Sequence, residues 1–374
     1  MWNRKTKQTK IIILIACILA VACVGVYFFV KYQTYDYIEI TSTYENSSTD
    51  NANYRYCESG IIRYSRDGIA LLNVQGEERW NQPCQMSNPM IDFKGDSIAI
   101  ADKGGTSIFV FEEKGLKGEI QTTRPIEKIS VSGQGVVSAI LKDEQTPLVM
   151  CYDAKGKVLV EHKISIGTMG YPIDVALSED GNTLLVSYLF TQGNSIVSKV
   201  AYYYFGDDNT GKENHLVYQT DLDDTIIPAT SFLQRDISLL VADDALLLYK
   251  GLKDPKETVR IELKQEIQSL EYSDELIAVL VRNDKSGDYK LNVYNTKGKQ
   301  VMFVGVDKQY TEIRILDDKI LLFDDQSCGI YMKNGICKYE GNMDENILEI
   351  FPIGGFNKYM VINASGFHEV ELAK

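Results

Sequence analysis

The sequence feature that most constrains the fold is a β-hairpin unit that recurs along most of the chain. Each unit has an apolar strand, a turn of three or four residues that ends in glycine, and a second strand, as in "LVMCYDAKGKVLV" (148–160) and "LNVYNTKGKQVMF" (291–303). Glycine suits these turns because they need a positive φ angle. The turn glycines follow one another at intervals of 37 to 50 residues, and they are Gly76, Gly115, Gly156, Gly206, Gly251, Gly298 and Gly335.

A second pair of strands precedes each hairpin, for example "MIDFKGDSIAIAD" (90–102) and "SLEYSDELIAVLV" (269–281). Four short strands in a repeat of roughly 43 residues are typical of a β-propeller. We therefore predict an all-β propeller with four-stranded blades. Seven blades are predicted at residues 55–83, 85–120, 125–163, 171–218, 227–263, 266–305 and 310–341.

The number of blades depends on both ends of the propeller. Residues 347–372 contain three further strands, and residues 37–40 are predicted to supply a fourth. An N-terminal strand that completes the last blade closes the ring and removes the exposed sheet edges. We therefore predict eight blades. The alternative is seven blades, in which residues 347–372 and the first unit share one blade.

Residues 11–30, "IIILIACILAVACVGVYFFV", carry no charge and no proline. At about 1.5 Å per residue a helix of this length spans roughly 30 Å, the thickness of the hydrocarbon layer. Because the basic residues lie before this segment, the positive-inside rule predicts a cytoplasmic N-terminus and an extracytoplasmic propeller. The predicted layout is a basic tail at 1–10, a transmembrane helix at 11–30, a strand and linker at 31–54, and the propeller at 55–374.

A cleaved signal peptide is the alternative interpretation of the same segment. Two stretches look like lipoprotein processing sites, "LIAC" ending at Cys17 and "AVAC" ending at Cys23. The first leaves almost no apolar run before its cysteine, and the second leaves "VGVYFFV" on the mature end, which is too apolar for a tether. We therefore favour an uncleaved anchor in the cell membrane.

The net charge of −13 limits the classes of partner. An acidic surface repels nucleic acid, so we expect no DNA or RNA ligand. The same charge is expected to repel anionic lipid headgroups, so that the apolar helix rather than surface charge holds the chain at the membrane. A protein or a component of the cell envelope is the expected partner.

Five cysteines lie beyond the membrane segment, and their spacing is no disulfide framework. Cys328 and Cys337 resemble a pair across a hairpin, but "NG" at 334–335 favours a two-residue turn that sets Cys337 opposite Met332. We expect these cysteines to be small buried apolar residues. The five are Cys57, Cys84, Cys151, Cys328 and Cys337.

Catalytic signatures are missing from the sequence. There is no GxSxG serine elbow and no phosphate-binding glycine motif, and the three histidines fall in different predicted blades without zinc spacing. A tryptophan that resembles the blade ends of quinoproteins, Trp80, occurs in one blade alone. We therefore predict a non-enzymatic binding or scaffold module without a cofactor. The alternative is an enzyme acting on glycan or peptide with channel carboxylates, for which Asp92 and Asp174 are a conceivable pair.

Two acidic loops are weak candidates for a calcium site, because alternating oxygen ligands around a glycine suit that ion. The twelfth position counted from the start of the first loop is Tyr218 rather than a glutamate, and solvated turns are the simpler expectation. The candidate ligands are Asp207, Asn209 and Glu213 in "DDNTGKEN", and Asp284, Ser286 and Asp288 in "NDKSGD".

Three stretches resemble a known protein family: "NPMIDFKGDSIAIADKGGTSIFVF", "GIIRYSRDGIALLNVQGEERWNQ" and, most specifically, "GYPIDVALSEDGNTLLVSYL". The family is a domain of unknown function from Gram-positive bacteria, and the resemblance runs along nearly the whole chain. It implies a short basic N-terminus, one membrane helix and an extracytoplasmic propeller, and it assigns no catalytic residue. The "SEDG" corner (178–181) within the third stretch is predicted to be a tight turn rather than a site.

Overall fold

The computed structural model describes residues 2–45, 52–57, 59–193, 195–206, 215–283, 286–343 and 345–374, with side chains from residue 13 onward except that of Gln192. Within these ranges a long N-terminal helix, α1 (Trp2–Lys31), precedes thirty-two strands. The strands form eight antiparallel sheets of four strands each, arranged as the blades of a β-propeller. The predicted all-β propeller and its eight blades are therefore confirmed.

The outer strand of the last blade is β1 (Tyr37–Glu45). Blades 1 and 2 contain β2 (Asn53–Cys57), β3 (Gly60–Ser65), β4 (Gly68–Leu72), β5 (Glu78–Pro83), β6 (Pro89–Lys94), β7 (Ser97–Asp102), β8 (Ser107–Glu112) and β9 (Gly115–Gln121). Blades 3 and 4 contain β10 (Ile126–Val131), β11 (Val137–Leu141), β12 (Leu148–Tyr152), β13 (Val158–Lys163), the short helix α2 (Ile166–Met169), β14 (Tyr171–Leu177), β15 (Thr183–Gln192), β16 (Ser195–Tyr204) and β17 (Leu216–Asp223).

Blades 5 and 6 contain β18 (Ala229–Gln234), β19 (Ile237–Val241), β20 (Ala245–Lys250), β21 (Lys256–Glu262), β22 (Glu266–Tyr272), β23 (Leu276–Arg282), β24 (Tyr289–Asn295) and β25 (Gln300–Val306). Blades 7 and 8 contain β26 (Glu312–Leu316), β27 (Lys319–Phe323), β28 (Ser327–Met332), β29 (Cys337–Asn342), β30 (Glu349–Gly354), β31 (Lys358–Ile362) and β32 (Gly366–Ala373).

The ring closes through β1, which pairs antiparallel with β32 from Tyr37 opposite Ala373 to Glu45 opposite Gly366. The strand is longer than the predicted residues 37–40, because a bulge between Ile40 and Ser42 lets the polar stretch after it continue the pairing. Blade 8 therefore combines one strand from the beginning of the propeller with three from its end.

Burial follows the position of each strand within its blade. The second strands β7 and β11 are buried along almost their whole length, because neighbouring blades cover both faces. Such strands read as continuous apolar runs. The outer strands β5 and β13 alternate between exposed and half-buried residues, since one face meets solvent. The hydrophobic core accordingly lies between blades, as where Ala99 of blade 2 packs with Val137 of blade 3.

The turns of the propeller lie on two opposite faces. Each blade is a meander, so its first turn (first to second strand) and its third turn (third to fourth strand) lie at the same end. We call this end the near face and the opposite end the far face. First turns of neighbouring blades touch: Ser97 Oγ donates to the Gly133 carbonyl at 3.1 Å, and Gly133 N–H donates to the Glu179 carbonyl at 3.1 Å.

Helix α1 ends on the near face, at the junction of blades 7 and 8. Lys338 is 1% exposed, and its ammonium donates to the carbonyls of Lys31, at 3.0 Å, and Phe356, at 2.6 Å. A cation at the C-terminal carbonyls of a helix is favourable. Lys31 Nζ lies 2.7 Å from Asp318, and the rings of Tyr27 and Phe356 meet edge to face at 5.3 Å. These contacts join the helix end to the folded propeller.

The five cysteines beyond the helix form no disulfide with one another, in line with their spacing. Cys84, Cys151 and Cys328 are buried as expected, whereas Cys57 and Cys337 are only half-buried, so the expectation is wrong for these two. The predicted register of the hairpin formed by β28 and β29 is wrong by one residue. A bulge between Ile330 and Tyr331 sets Cys337 opposite Tyr331, and Cys328 pairs with Gly341. Burial raises the pKa of Cys328 to about 12 and that of Cys337 to about 11, so both thiols stay protonated at neutral pH.

The "SEDG" corner is a tight turn between β14 and β15, as predicted. Ser178 Oγ donates to Asp180 at 2.7 Å, and the Asn182 N–H donates to the same carboxylate at 3.1 Å. Gly181 has a φ of +69°, which a side chain would disfavour.

Candidate ligand site in the central channel

The first strands of blades 2 to 6 line a cavity of about 370 Å³ in the central channel. These strands are β6, β10, β14, β18 and β22. Apolar side chains form part of the wall, and carboxylates, hydroxyls and an ammonium group form the rest. The apolar lining residues include Ile91, Phe93, Ile129, Val175 and Phe232, and the polar ones include Asp92, Lys128, Asp174, Thr230 and Tyr272.

Asp92, in the middle of β6, lies in this wall and forms no ion pair with a cation in the part of the chain that the structure describes. Its Oδ2 accepts a hydrogen bond from the Val131 N–H at 2.7 Å, and the Ser130 hydroxyl also bonds to the carboxyl group. Burial nevertheless raises the pKa of Asp92 to about 6, and the nearby charge of Asp174 adds to the increase. Asp92 therefore changes its protonation state close to neutral pH.

Asp174 occupies the matching position in blade 4, since "MIDF" of β6 (90–93) and "PIDV" of β14 (172–175) are equivalent stretches. Its Oδ2 accepts hydrogen bonds from the Thr230 N–H at 2.5 Å and from the Thr230 hydroxyl at 2.9 Å. Its Oδ1 lies 3.0 Å from the ammonium of Lys128, which comes from the intervening blade 3. Burial raises the pKa of Asp174, and Lys128 opposes that effect. Asp92 and Asp174, the conceivable pair of the sequence analysis, both line this cavity.

Lys94 is close to Asp92 in sequence, but it connects two strands of the cavity wall and forms no ion pair with that carboxylate. Its ammonium donates to the carbonyl of Phe232 at 2.6 Å and lies 3.9 Å from Glu179. This contact connects β6 of blade 2 to β18 of blade 5 across the channel. Lys128 is consequently the cation that pairs with Asp174, and nearly half of its side chain remains exposed.

The other side of the channel contains a network of ion pairs from blades 1, 6, 7 and 8. Arg314 makes 3.0 Å contacts with the fully buried Glu349 and a 2.8 Å contact with Glu312. Arg55 lies 2.6 Å from Glu271, and Arg314 lies 4.0 Å from the same carboxylate. Because these charges already satisfy one another, the cavity beside Asp92 and Lys128 is the better candidate site.

Sequence reasoning identified the two aspartates but missed Lys128, Thr230 and Tyr272, which come from other blades. When "EKIS" (127–130) is aligned with "MIDF" and "PIDV", Lys128 falls one position before the aspartates, so the alignment alone does not pair them. The residues Thr230 and Tyr272 have no distinguishing pattern in the sequence.

The calcium candidates Asp207, Asn209, Glu213 and Asp284 lie outside the described residues. Asp288 is described, and its N–H lies 3.4 Å from Ser286 Oγ within an ordinary turn. Among described residues, no group of three or more histidine, cysteine or carboxylate side chains is arranged to hold a metal ion.

Two of the three histidines lie near each other, although they come from different blades. His162 of β13 and His215, just before β17, both contact the ring of Phe205. The third, His368, is hydrogen-bonded to Asn363 at 3.0 Å. Trp80 stacks on a phenylalanine of the next blade, Phe111, at 5.0 Å, which is a packing role.

Solved structures with the same architecture are distant in sequence. BamB from Moraxella catarrhalis is 12% identical with a TM-score of 0.52, covering 89% of this chain and 99% of that chain. The computationally designed Ika8 protein is 12% identical with a TM-score of 0.56, covering 91% and 99%. Apo AztD from Citrobacter koseri is 14% identical with a TM-score of 0.53, covering 79% and 87%. These likenesses show the propeller fold alone.

A search of curated protein sequences gives no match. A family model does match, from residue 31 to residue 372, which is the propeller with the segment that joins it to the helix. This agrees with the resemblance inferred from the sequence. The chain therefore belongs to DUF5711, a family of unknown function.

Proposed function

We propose that this chain is a membrane-anchored binding module of the bacterial cell surface, whose propeller lies outside the cytoplasm and receives a ligand in the central channel. The observation that carries the proposal is the channel cavity of about 370 Å³, with Lys128 half-exposed beside Asp92 and Asp174. Pockets that combine an apolar wall with a few convergent polar groups are typical of ligand sites.

The helix supports the membrane part of the proposal. Residues Ile13–Lys31 are long and apolar enough to cross a bilayer, and they are not buried against the propeller. A signal peptide that is removed has no reason to be part of the fold. The buried Lys338 that caps the helix end, and the Lys31–Asp318 ion pair, favour a retained anchor. The basic residues before the helix favour an extracytoplasmic propeller.

The hydrogen bonds in the channel favour binding over catalysis. Both oxygens of Asp174 are occupied by Lys128 and Thr230, and Asp92 accepts from the Val131 N–H. Carboxylates whose oxygens already accept hydrogen bonds are suited to give a pocket its shape and its negative charge. A ligand with apolar surface and a polar or cationic group, such as a segment of protein or an envelope fragment, matches the lining.

An enzyme is the second candidate, and the pKa of Asp92 favours it. A carboxylic acid that titrates near 6 beside another carboxylate is the arrangement of a general acid. If this candidate is correct, the full chain hydrolyses envelope glycans or peptides, and both Asp92→Asn and Asp174→Asn abolish the activity. If the full chain hydrolyses none of a set of envelope glycans and peptides but binds a ligand in the channel, this result contradicts the enzyme candidate.

Photocrosslinking in cells tests the binding function. p-Benzoylphenylalanine replaces Tyr272, which faces the cavity, and in a matched variant it replaces Tyr289, a half-exposed tyrosine of the same blade outside the channel. We expect a discrete adduct from position 272, identified by mass spectrometry, and none from position 289. Equal yields at the two positions would refute a channel ligand.

A further inference from the structure

The near face differs from the rest of the propeller in the composition of its third turns. Five of the six third turns that the structure describes completely contain lysine, in blades 2, 3, 5, 6 and 7. The first turns on the same face form the inner ring around the channel, and their charged residues are acidic except for Arg235, so the positive charge is on the outside. The lysines of the third turns are Lys114, Lys155, Lys157, Lys253, Lys297, Lys299 and Lys333.

Most of these ammonium groups have room for an external partner. Lys114, Lys155, Lys157, Lys297 and Lys299 are exposed, and no carboxylate of the described residues forms an ion pair with them within 4.0 Å. A lysine with no internal partner keeps its three N–H donors available to an anionic surface.

Exposed apolar side chains accompany the lysines. Of the ten large apolar residues of the described propeller that are exposed, seven lie within the first four residues of an outer strand. Outer strands begin at the near face, so these side chains form a band beside the lysine turns. The seven are Tyr37, Ile40, Leu116, Val158, Leu159, Val301 and Phe303. We call the third turns and this band the near-face rim.

The helix places the near face at the level of the membrane surface. Tyr27 lies four residues before the helix end, which is about 6 Å along the axis. Because the Tyr27 ring contacts Phe356 in the first turn of blade 8, this part of the near face reaches as deep as the last turn of the apolar helix. Aromatic residues at such a level are typical of the interface between hydrocarbon and headgroups.

We propose that the near-face rim rests on the bilayer, with its lysines on anionic lipid headgroups and its exposed apolar side chains in the interfacial layer. The inference rests on the proposed membrane anchor and adds a lipid-binding surface to it. Basic residues combined with apolar ones at the same level are the chemistry that binds an anionic membrane surface. The net charge of −13 does not prevent this contact, because the acidic first turns of the near face lie inside the rim, around the channel, and the lysines lie outside them.

Photocrosslinking of the full chain in lipid nanodiscs tests the proposal. The discs contain phosphatidylcholine alone or with added phosphatidylglycerol. p-Benzoylphenylalanine replaces Val301 in blade 6 or Leu159 in blade 3, and the matched far-face control is Ile196, which is similarly exposed. A fourth variant with the probe at Phe29 in the helix reports insertion. We expect lipid adducts at positions 29, 159 and 301 and few at position 196. At positions 159 and 301 the yield of adducts should be higher in the discs that contain phosphatidylglycerol.

Charge reversal tests the role of the lysines. Lys297→Glu combined with Lys299→Glu is expected to remove the gain that phosphatidylglycerol gives at position 301. The loss should be at least about fivefold, the ratio for one charge near an anionic membrane. The exposed far-face pair Lys142→Glu and Lys264→Glu provides the matched control and should keep the gain.

The outcomes separate the two proposals. If position 29 gives lipid adducts but positions 159 and 301 give no more than position 196, the near-face rim does not bind the bilayer, whereas the membrane anchor still holds. The rim proposal also fails if phosphatidylglycerol still increases the adducts at position 301 after Lys297 and Lys299 are reversed. No adduct at position 29 refutes the membrane anchor itself.

Discussion

Replacing Asp92 by asparagine should make the propeller more stable at neutral pH and should change how its stability depends on pH. In the folded chain the pKa of Asp92 is about 6, against a usual value of 3.8. The difference of about two pH units corresponds to ~3 kcal/mol that the folded state loses when the carboxyl ionises. Asparagine has nearly the same shape and does not ionise.

The sign follows from proton binding. A raised folded-state pKa means that the folded chain holds the proton more tightly than the unfolded chain. The contribution of Asp92 is therefore fully present below pH 3.8 and is lost as the pH rises through about 6. The amide oxygen of the variant can accept the hydrogen bond from the Val131 N–H as the neutral carboxyl group does. The variant should thus be ~3 kcal/mol more stable well above pH 7 and nearly as stable as the wild type at about pH 4.

Urea unfolding of the detergent-solubilised full chain at several pH values, followed by tryptophan fluorescence, measures this difference. Asp143→Asn is the control of opposite sign, because backbone N–H donors lower the pKa of Asp143 and its stabilising contribution disappears as the pH falls. A difference between wild type and Asp92→Asn that is the same at acidic and neutral pH would refute the raised pKa of the Asp92 carboxyl group.

Three further substitutions test other contacts by the same unfolding measurement. Asp174→Ala leaves the Thr230 N–H without its acceptor and should cost ~2 kcal/mol; an effect below a few tenths would contradict the buried contact. Arg314→Ala leaves the fully buried Glu349 without its partner and should cost ~4 kcal/mol, whereas the double change with Glu349→Gln should cost clearly less; equal losses would argue against coupling. Lys338→Met removes the cap of the helix end and should cost ~2 kcal/mol, while Lys358→Met, at a more exposed lysine of the next blade, should be nearly neutral.

The repeating turn glycines predict the blades well because each blade needs the same turn chemistry at the same place. Gly298 and Gly335 illustrate this, since both have positive φ in third turns. Bulges are less predictable. The one between Ile330 and Tyr331 shifts Cys337 by one position, and neither neighbouring residue signals it.

The channel was predictable in part. Asp92 and Asp174 occupy matching places in two repeats, so their approach follows from the period. Lys128 and Thr230 come from blades whose first strands have other sequences, and their contacts depend on how each strand is rotated toward the axis. The net charge alone does not describe the near face, because a sum over the chain does not show that lysines lie in its third turns and acidic residues in its first turns.

The closure of blade 8 has a consequence for the order of events during synthesis. The ribosome makes β1 before every other strand of the propeller, yet its partner β32 is made last. Because β1 follows the helix after only a short segment, its backbone hydrogen-bonding groups remain unpaired with β32 while the other blades form. Pairing over such a sequence distance is slow, and the waiting edge is a site for misassembly. A chain cut short before β32 would lack the partner of β1, so its ring would stay open and the edge of β1 would remain exposed to pairing with other chains.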